Sequence, residues 1–290
     1  MTYSIAARDP GTGLLGVAVQ SHFLAVGRNV PYGRPGIGIV ATQANVRAEY
    51  GPDGLARMAA GLPAAEALVA CLADDPAPDV RQAGFVDAAG RAAAHTGSGC
   101  WRQAAHHTVD GATAQANMVH DAAIPHAMIE AYLAAEGTFA GRLLGALDAA
   151  ESLGGDLRGR QSAALYIISG DPAATDNGVL VDLRVDNHAD PLGELAGALR
   201  VHEAFVPLWD VIRGPACRGS QRPTPDETAL ALRVLRHAQV GYGPGNLEPT
   251  FWHAVALWRS GRRSEAELEI SHIAEDNPGW RLLFTDVASR

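Results

Sequence analysis

This 290-residue chain predicts an α+β fold: two antiparallel sheets stacked face to face, helix pairs on their outer faces, and an all-helical extension at the C-terminal end. Three observations predict it. The chain opens on a β-hairpin, groups of strands alternate with pairs of helices rather than single helices, and a Pro/Gly-rich stretch precedes a final segment with helical patterning only.

The hairpin covers residues 2–20. Two apolar, partly β-branched runs flank Asp9-Pro10-Gly11-Thr12-Gly13, residues suited to a turn. A loop over 21–35 carries Gly27, Pro31, Gly33 and Pro35, and Gly36-Ile37-Gly38-Ile39-Val40-Ala41 reads as a short buried strand. The polar residues Thr42-Gln43-Ala44-Asn45 follow it. Helical spacing then covers 52–60 and 63–72, the second opened by Pro63. Residues 80–87 and 91–96 form a second hairpin across Ala88-Ala89-Gly90, and 113–118 a further strand. Helices at 121–135 and 138–153 come next, the second closed by Gly154-Gly155. Strands at 162–168 and 179–185 and a helix at 190–205 complete a first domain, 1–206. Residues 207–224 read as a linker. Residues 225–290 read as a helical extension in which Phe251–Trp258, Gly261 and Ala266 resemble one tetratricopeptide-type helix–turn–helix.

Composition excludes several chemistries. With 47% hydrophobic and 19% charged residues the chain can bury a sizeable core. A net charge of −9 argues against a nucleic-acid binder, which needs a basic face. No apolar run reaches the roughly 18 residues of a membrane span, and no leader peptide is visible. Three widely spaced cysteines, Cys71, Cys100 and Cys217, read as reduced thiols of a cytoplasmic protein. The chain contains no lysine, so Schiff-base catalysis, the phosphate-binding P-loop and any Ser–Lys or Thr–Lys nucleophile pair are ruled out. His95, His106, His107, His120 and His126 lack the spacing of a helical zinc pair. The residues call for no metal and no cofactor. A small-molecule substrate is the expected ligand, and self-association into a homo-oligomer, with a homodimer the simplest case, is expected of an edge-rich two-sheet core.

Thr2 is the foremost candidate for chemistry. Removal of Met1 would leave a hydroxyl and a free α-amine on one residue, a nucleophile beside its base. An α-amine has a pKa of about 7.7–8, so a useful fraction is neutral near pH 7. Ser4 shares the strand face of Thr2 because side chains alternate. Thr42 and Gln43 end a buried strand, where their backbone N–H groups could stabilise an oxyanion or instead cap the following helix. Ser21, His22 and Asn45 are candidate substrate contacts, with His22 an alternative base. Arg158 and Arg160, two apart, would face one side of an extended segment; Arg160 could anchor a substrate carboxylate or join a salt-bridge network. Arg184, Asp186 and His188 alternate along one strand, so a His lies near a carboxylate, either as a second centre or as an edge ion cluster.

Several stretches carry a resemblance: Met1-Thr2-Tyr3-Ser4-Ile5-Ala6-Ala7-Arg8-Asp9, Gly16-Val17-Ala18-Val19-Gln20-Ser21, Val40-Ala41-Thr42-Gln43, Ala94-His95-Thr96-Gly97, Gly155-Asp156-Leu157-Arg158-Gly159-Arg160-Gln161-Ser162-Ala163-Ala164 and Val181-Asp182-Leu183-Arg184-Val185-Asp186-Asn187-His188. Together they resemble the bacterial domain-of-unknown-function family 1028, an N-terminal-nucleophile (Ntn) hydrolase-like group, over about residues 1–205. The resemblance implies a four-layer αββα sandwich and, by analogy with threonine-dependent Ntn hydrolases, an amidohydrolase that cleaves a small C–N bond through Thr2. A non-catalytic scaffold that recruits a partner through its helical extension is the other reading. Threonine hydrolases of this kind use a lysine beside the nucleophile; here the base would have to be the α-amine of Thr2 or His22.

Overall fold

The computed structural model describes residues 2–174, 176–218 and 221–288, and the chain divides into two compact units, 1–196 and 197–290. In the first, β1 (Thr2–Arg8) and β2 (Leu15–Ser21) form the expected hairpin. β3 (Pro31–Arg34) and β4 (Gly38–Ala44) precede α1 (Tyr50–Ala59) and α2 (Ala64–Ala73). β5 (Arg81–Asp87), β6 (Ala92–Thr96), β7 (Ala104–Val109) and β8 (Ala112–Asn117) follow. Then come α3 (Ile124–Ala134), α4 (Phe139–Ser152), β9 (Ser162–Ile168) and β10 (Val179–Val185).

The strands make two antiparallel sheets, one in the order β10-β9-β2-β1-β8-β7 and the other β3-β4-β5-β6. β1 and β2 of the larger sheet face β4 and β5 of the smaller one, α3 and α4 cover the larger sheet, and α1 and α2 the smaller. The expected helix–sheet–sheet–helix order is therefore present. Period-two alternation sorts the side chains. Val17, Val19, Ile39, Ala41, Val86 and Ile168 fill the space between the sheets. Val40 and Phe85 instead turn outward against Tyr50, Leu55, Met58 and Leu68 of α1 and α2. Gly16 is required by close packing, since a Cβ there would sit 2.7 Å from the Leu143 side chain of α4.

Two strands depart from expectation. β3 contains Pro31 and Gly33, which read as loop, yet it pairs along β4 as an edge strand, where a proline is tolerated. β7 forms the other sheet's edge beside β8.

The second unit also differs. α5 (Pro191–Arg213) runs past the expected boundary at 206 and holds Pro207 within it. Leu208, Ile212, Ala216 and Cys217, in the stretch expected as a linker, are buried with residues of α6 (Pro225–Tyr242), α7 (Glu248–Ser260), α8 (Arg263–Asp276) and α9 (Gly279–Ala288). A proline interior to a helix removes one hydrogen bond, and burial of this apolar face outweighs that loss. α6 opens on a capping box between Thr224 and Glu227, and Gly261 at φ 93° closes α7 before α8. Among the described residues, no helix is long and apolar enough to cross a membrane.

Candidate active site

β1 lies at the centre of the larger sheet, and Thr2 is its first described residue. The register Tyr3↔Gln20 places Thr2 opposite Ser21, and Thr2 Oγ1 lies 3.1 Å from Ser21 Oγ. Both side chains face the smaller sheet, at the end of the layer where apolar packing gives way to amides and hydroxyls. The carbonyl of Thr2 accepts two side-chain hydrogen bonds, from Gln43 Nε2 at 3.2 Å and Asn117 Nδ2 at 3.4 Å. Gln82 orders both donors: its Oε1 accepts from Gln43 Nε2 at 2.8 Å and from Asn117 Nδ2 at 2.9 Å. Its Nε2 donates to the carbonyls of Ala116 and Ala105, at 2.8 and 3.1 Å, and to Thr96 Oγ1 at 2.9 Å. Ser4 Oγ donates to Gln43 Oε1 at 2.7 Å and accepts from Gln115 Nε2 at 2.6 Å. Gly84 makes room for this, since a Cβ there would fall 2.2 Å from Gln115 Oε1. Thr2, Ser4, Gln43, Gln82, Gln115 and Asn117 are all buried. Buried amides are costly unless paired, and this network pairs them without a single formal charge.

A cleft of about 350 Å³ opens beside Asn117, the cross-strand neighbour of Thr2. Ala44, Asn45, Val80, Gly99, Cys100, Trp101 and Met118 line the rest. Two of these, Ala44 at φ 69° and Met118 at φ 54°, hold left-handed backbone, an uncommon conformation for residues with a Cβ. Ala44 ends β4 and Met118 directly follows β8, each next to a network amide, so the chain turns away from the sheet at the cleft. Burial pushes the Cys100 thiol up, and its Sγ donates to the Arg81 carbonyl at 3.3 Å. The Arg81 guanidinium bonds Asp75 at 2.8 Å and the Asn45 carbonyl at 2.8 Å, and holds the Asp75 carboxyl well below the usual carboxylate range. The Asn45 side chain has no partner among the described residues and is exposed at the rim.

The other sequence candidates fall elsewhere. Thr42 is buried, but its side chain turns to the α1 side of β4, donating to the Arg47 carbonyl at 3.3 Å, and its N–H donates to Val30 O at 3.1 Å. The Gln43 backbone is paired opposite Gln82 in the β4–β5 ladder. The expected oxyanion hole from these two N–H groups is therefore committed to the sheet; Gln43 enters the site through its side chain instead. His22 makes no hydrogen bond to Thr2; its N–H donates to Asp156 Oδ2 at 2.9 Å. Arg160 lies on the other side of the larger sheet, where its Nε contacts Glu151 at 2.6 Å and its Nη1 contacts Asp190 at 3.2 Å. Glu151 also accepts from the Tyr3 hydroxyl, and burial followed by the Glu151 charge pushes that phenol far up. Arg160 is thus an ion-pair residue under α4 rather than a carboxylate anchor near Thr2. Arg158 folds back on Asp156, because residues 156–161 are not a strand and period two does not apply. Arg184 pairs with Asp182, Asp186 and His188 are exposed, and neither of the latter lines the cleft. Among the described residues no three His, Cys, Asp or Glu side chains gather as a metal would need.

Sequence reasoning missed Gln82, Gln115, Asn117 and Trp101. The available signal was a polar side chain at every second position of β8, Thr113, Gln115 and Asn117, on a strand whose other positions are all alanine.

A two-sheet α+β sandwich with a buried hydroxyl at the start of its central hairpin is the class this geometry defines. The chain belongs to the family of unknown function DUF1028, whose model matches residues 2–195. It is similar to the crystal structure of protein SPO2555 from Silicibacter pomeroyi, described as family-model DUF1028, at 33% identity and a TM-score of 0.62, covering 69% of this chain and 88% of that one. Comparison with curated proteins finds no match.

Proposed function

We propose that the protein is an amidohydrolase of the N-terminal-nucleophile type that cleaves a small C–N bond through Thr2 once Met1 has been removed. The observation that carries this reading is the fixed setting of Thr2. Its hydroxyl is beside Ser21, its carbonyl is held by two amides, and its cross-strand neighbour lines an open cleft. In the reaction the α-amine takes the Oγ1 proton while Oγ1 bonds to the substrate carbonyl carbon. The C–N bond then breaks and the departing nitrogen takes that proton; water next attacks the ester carbonyl, its hydroxyl leaving with the acid and its other proton passing through the α-amine to Oγ1. Asn45, the amide at the cleft rim without a partner, is the available donor to the oxyanion in place of the Thr42 and Gln43 backbone. No step needs a lysine. The cytoplasmic setting and self-association belong to the same proposal.

The experiment is intact mass spectrometry before and after incubation with a β-lactone, which acylates an N-terminal threonine hydroxyl. The expected result is a chain lacking Met1 that gains one adduct on the Thr2 peptide, lost in Thr2→Ala. Full retention of Met1, or equal labelling of Thr2→Ala, refutes the mechanism. The scaffold reading draws on the second unit, where a cleft of about 590 Å³ is lined by Phe251, Trp252, Arg218 and Arg259.

A further inference from the structure

We infer that the cleft beside Thr2 selects a neutral ligand that donates an N–H or O–H to Asn117 Oδ1 and lays a flat face on Trp101, and that Gln82 sets this preference by locking the Asn117 amide. The inference rests on reading the cleft as the substrate site.

Three observations lead to it. The first is the orientation of Asn117. Its Nδ2 is committed inward, to the Thr2 carbonyl and to Gln82 Oε1. Gln82 cannot turn over to offer its nitrogen instead. Its own Nε2 already faces two backbone carbonyls, and its Oε1 already receives two amide donors, so a flip would oppose like groups at all four of these contacts, and only the Thr96 hydroxyl could adapt. Asn117 is therefore fixed with its oxygen away from Gln82. That oxygen has no protein partner among the described residues, and it is not among the sealed, unpaired polar atoms of the interior, so it meets solvent in the cleft its residue lines. A fixed acceptor beside the nucleophile discriminates by hydrogen bonding, because a ligand without a donor leaves it unpaired.

The second observation is charge. Ala44, Asn45, Val80, Gly99, Trp101, Asn117 and Met118 carry no ionisable group, and burial keeps the Cys100 thiol protonated. Arg81, which follows the cleft residue Val80, contacts Asp75 at 2.8 Å, a carboxylate that Arg47 also contacts at 3.1 Å, and neither arginine lines the cleft. A carboxylate or ammonium entering here would lose hydration and meet no counter-charge among the lining residues. The third is Trp101, a cleft residue that is 72% exposed and so offers its ring to a flat partner.

The test uses the full chain and three matched probes: benzamide, with a ring and an amide N–H; N,N-dimethylbenzamide, with the same ring and no donor; and benzoate, with the same ring and a charge. Binding is read from the Trp101 indole and Asn117 side-chain signals in ¹H–¹⁵N NMR spectra. Benzamide should move both, with an affinity about fivefold or more above the other two, the worth of roughly one hydrogen bond. Trp101→Ala, a surface change that leaves the fold intact, should abolish binding of benzamide. Gln82→Met, checked for folding by its spectrum, should bind benzamide and N,N-dimethylbenzamide equally. Equal affinity of the three probes for the unaltered protein, tighter benzoate, or no binding at all overturns the inference; a preference that survives Gln82→Met overturns the role of Gln82. These readouts need neither turnover nor loss of Met1. A protein that fails to acylate at Thr2 can therefore still show the preference, and the two ideas fail separately.

Discussion

Along β1, the side chains of Thr2 and Ser4 turn toward the second sheet and meet hydroxyls and carboxamides, whereas Tyr3, between them, turns toward α4 and meets Glu151 in a cluster completed by Arg160 and Asp190. One strand thus divides a neutral polar region from an ionic one. Paired charges suffice to tie a loop to a helix, and exposure leaves such pairs weak. Carboxamides have defined donor and acceptor ends, so a closed network of them fixes orientation without building up a field. The neutral face therefore holds the Thr2 backbone in one orientation, while the charged face fastens the 156–161 loop.

The comparison can be broken by substitution on either side. Gln82→Leu carries the largest expected effect. It removes the acceptor shared by Gln43 Nε2 and Asn117 Nδ2 and the donor to the Ala105 and Ala116 carbonyls, leaving the two amides only their weaker bonds to backbone carbonyls; it should cost roughly 2 kcal/mol in urea unfolding and slow β-lactone acylation of Thr2. Arg160→Ala should cost about 1 kcal/mol, as a partly exposed ion pair is worth little. It should leave Thr2 acylation unchanged; a loss of labelling there would show that the two faces are coupled.

The smallest effect sharpens the boundary of the neutral network. Its outer end is Thr96, whose hydroxyl lies 2.9 Å from His106 Nδ1. Burial, then the neighbouring His95 and His107, lower the His106 pKa below its ordinary value. Below about pH 6.5 the unfolded chain therefore binds more protons at this residue than the folded one, and stability falls as pH drops through that window. Above it the residue contributes no slope. Urea titrations at several pH values should show this dependence flatten in His106→Gln.

Much of the layout was legible in the sequence because it rests on local chemistry. The Asp9–Gly13 turn, the alternation of β1 and β2, and the helix pairs each follow from a few adjacent residues. Thr2 was legible as a candidate from its hydroxyl and prospective free amine, Ser4 from sharing its strand face, and Gln43 from its place at the end of a buried strand. The partners that give them meaning were not, since Gln82 and Asn117 reach Thr2 only after two sheets stack, and no spacing along the chain encodes that meeting. Arg160 misled for the opposite reason. Two arginines near each other suggest an anion site, but Glu151 and Asp190, which occupy Arg160, come from a helix before it and a loop after it. Pro207 misled as well, because a proline reads as a break until the apolar face on both sides of it is known.

The hairpin turn is also a ruler. Residues 9–14 join Arg8 to Leu15 and thereby place Ser21 across from Thr2. The Asp9 carboxylate holds that turn at the Thr12 N–H and hydroxyl and reaches Arg142 of α4. A single residue gained or lost there would slide β2 by one position and exchange its faces, sending Val17 and Val19 toward α4 and Gln20 toward the second sheet. The length of a surface turn, some seven residues from Thr2, therefore decides which side chain stands opposite Thr2.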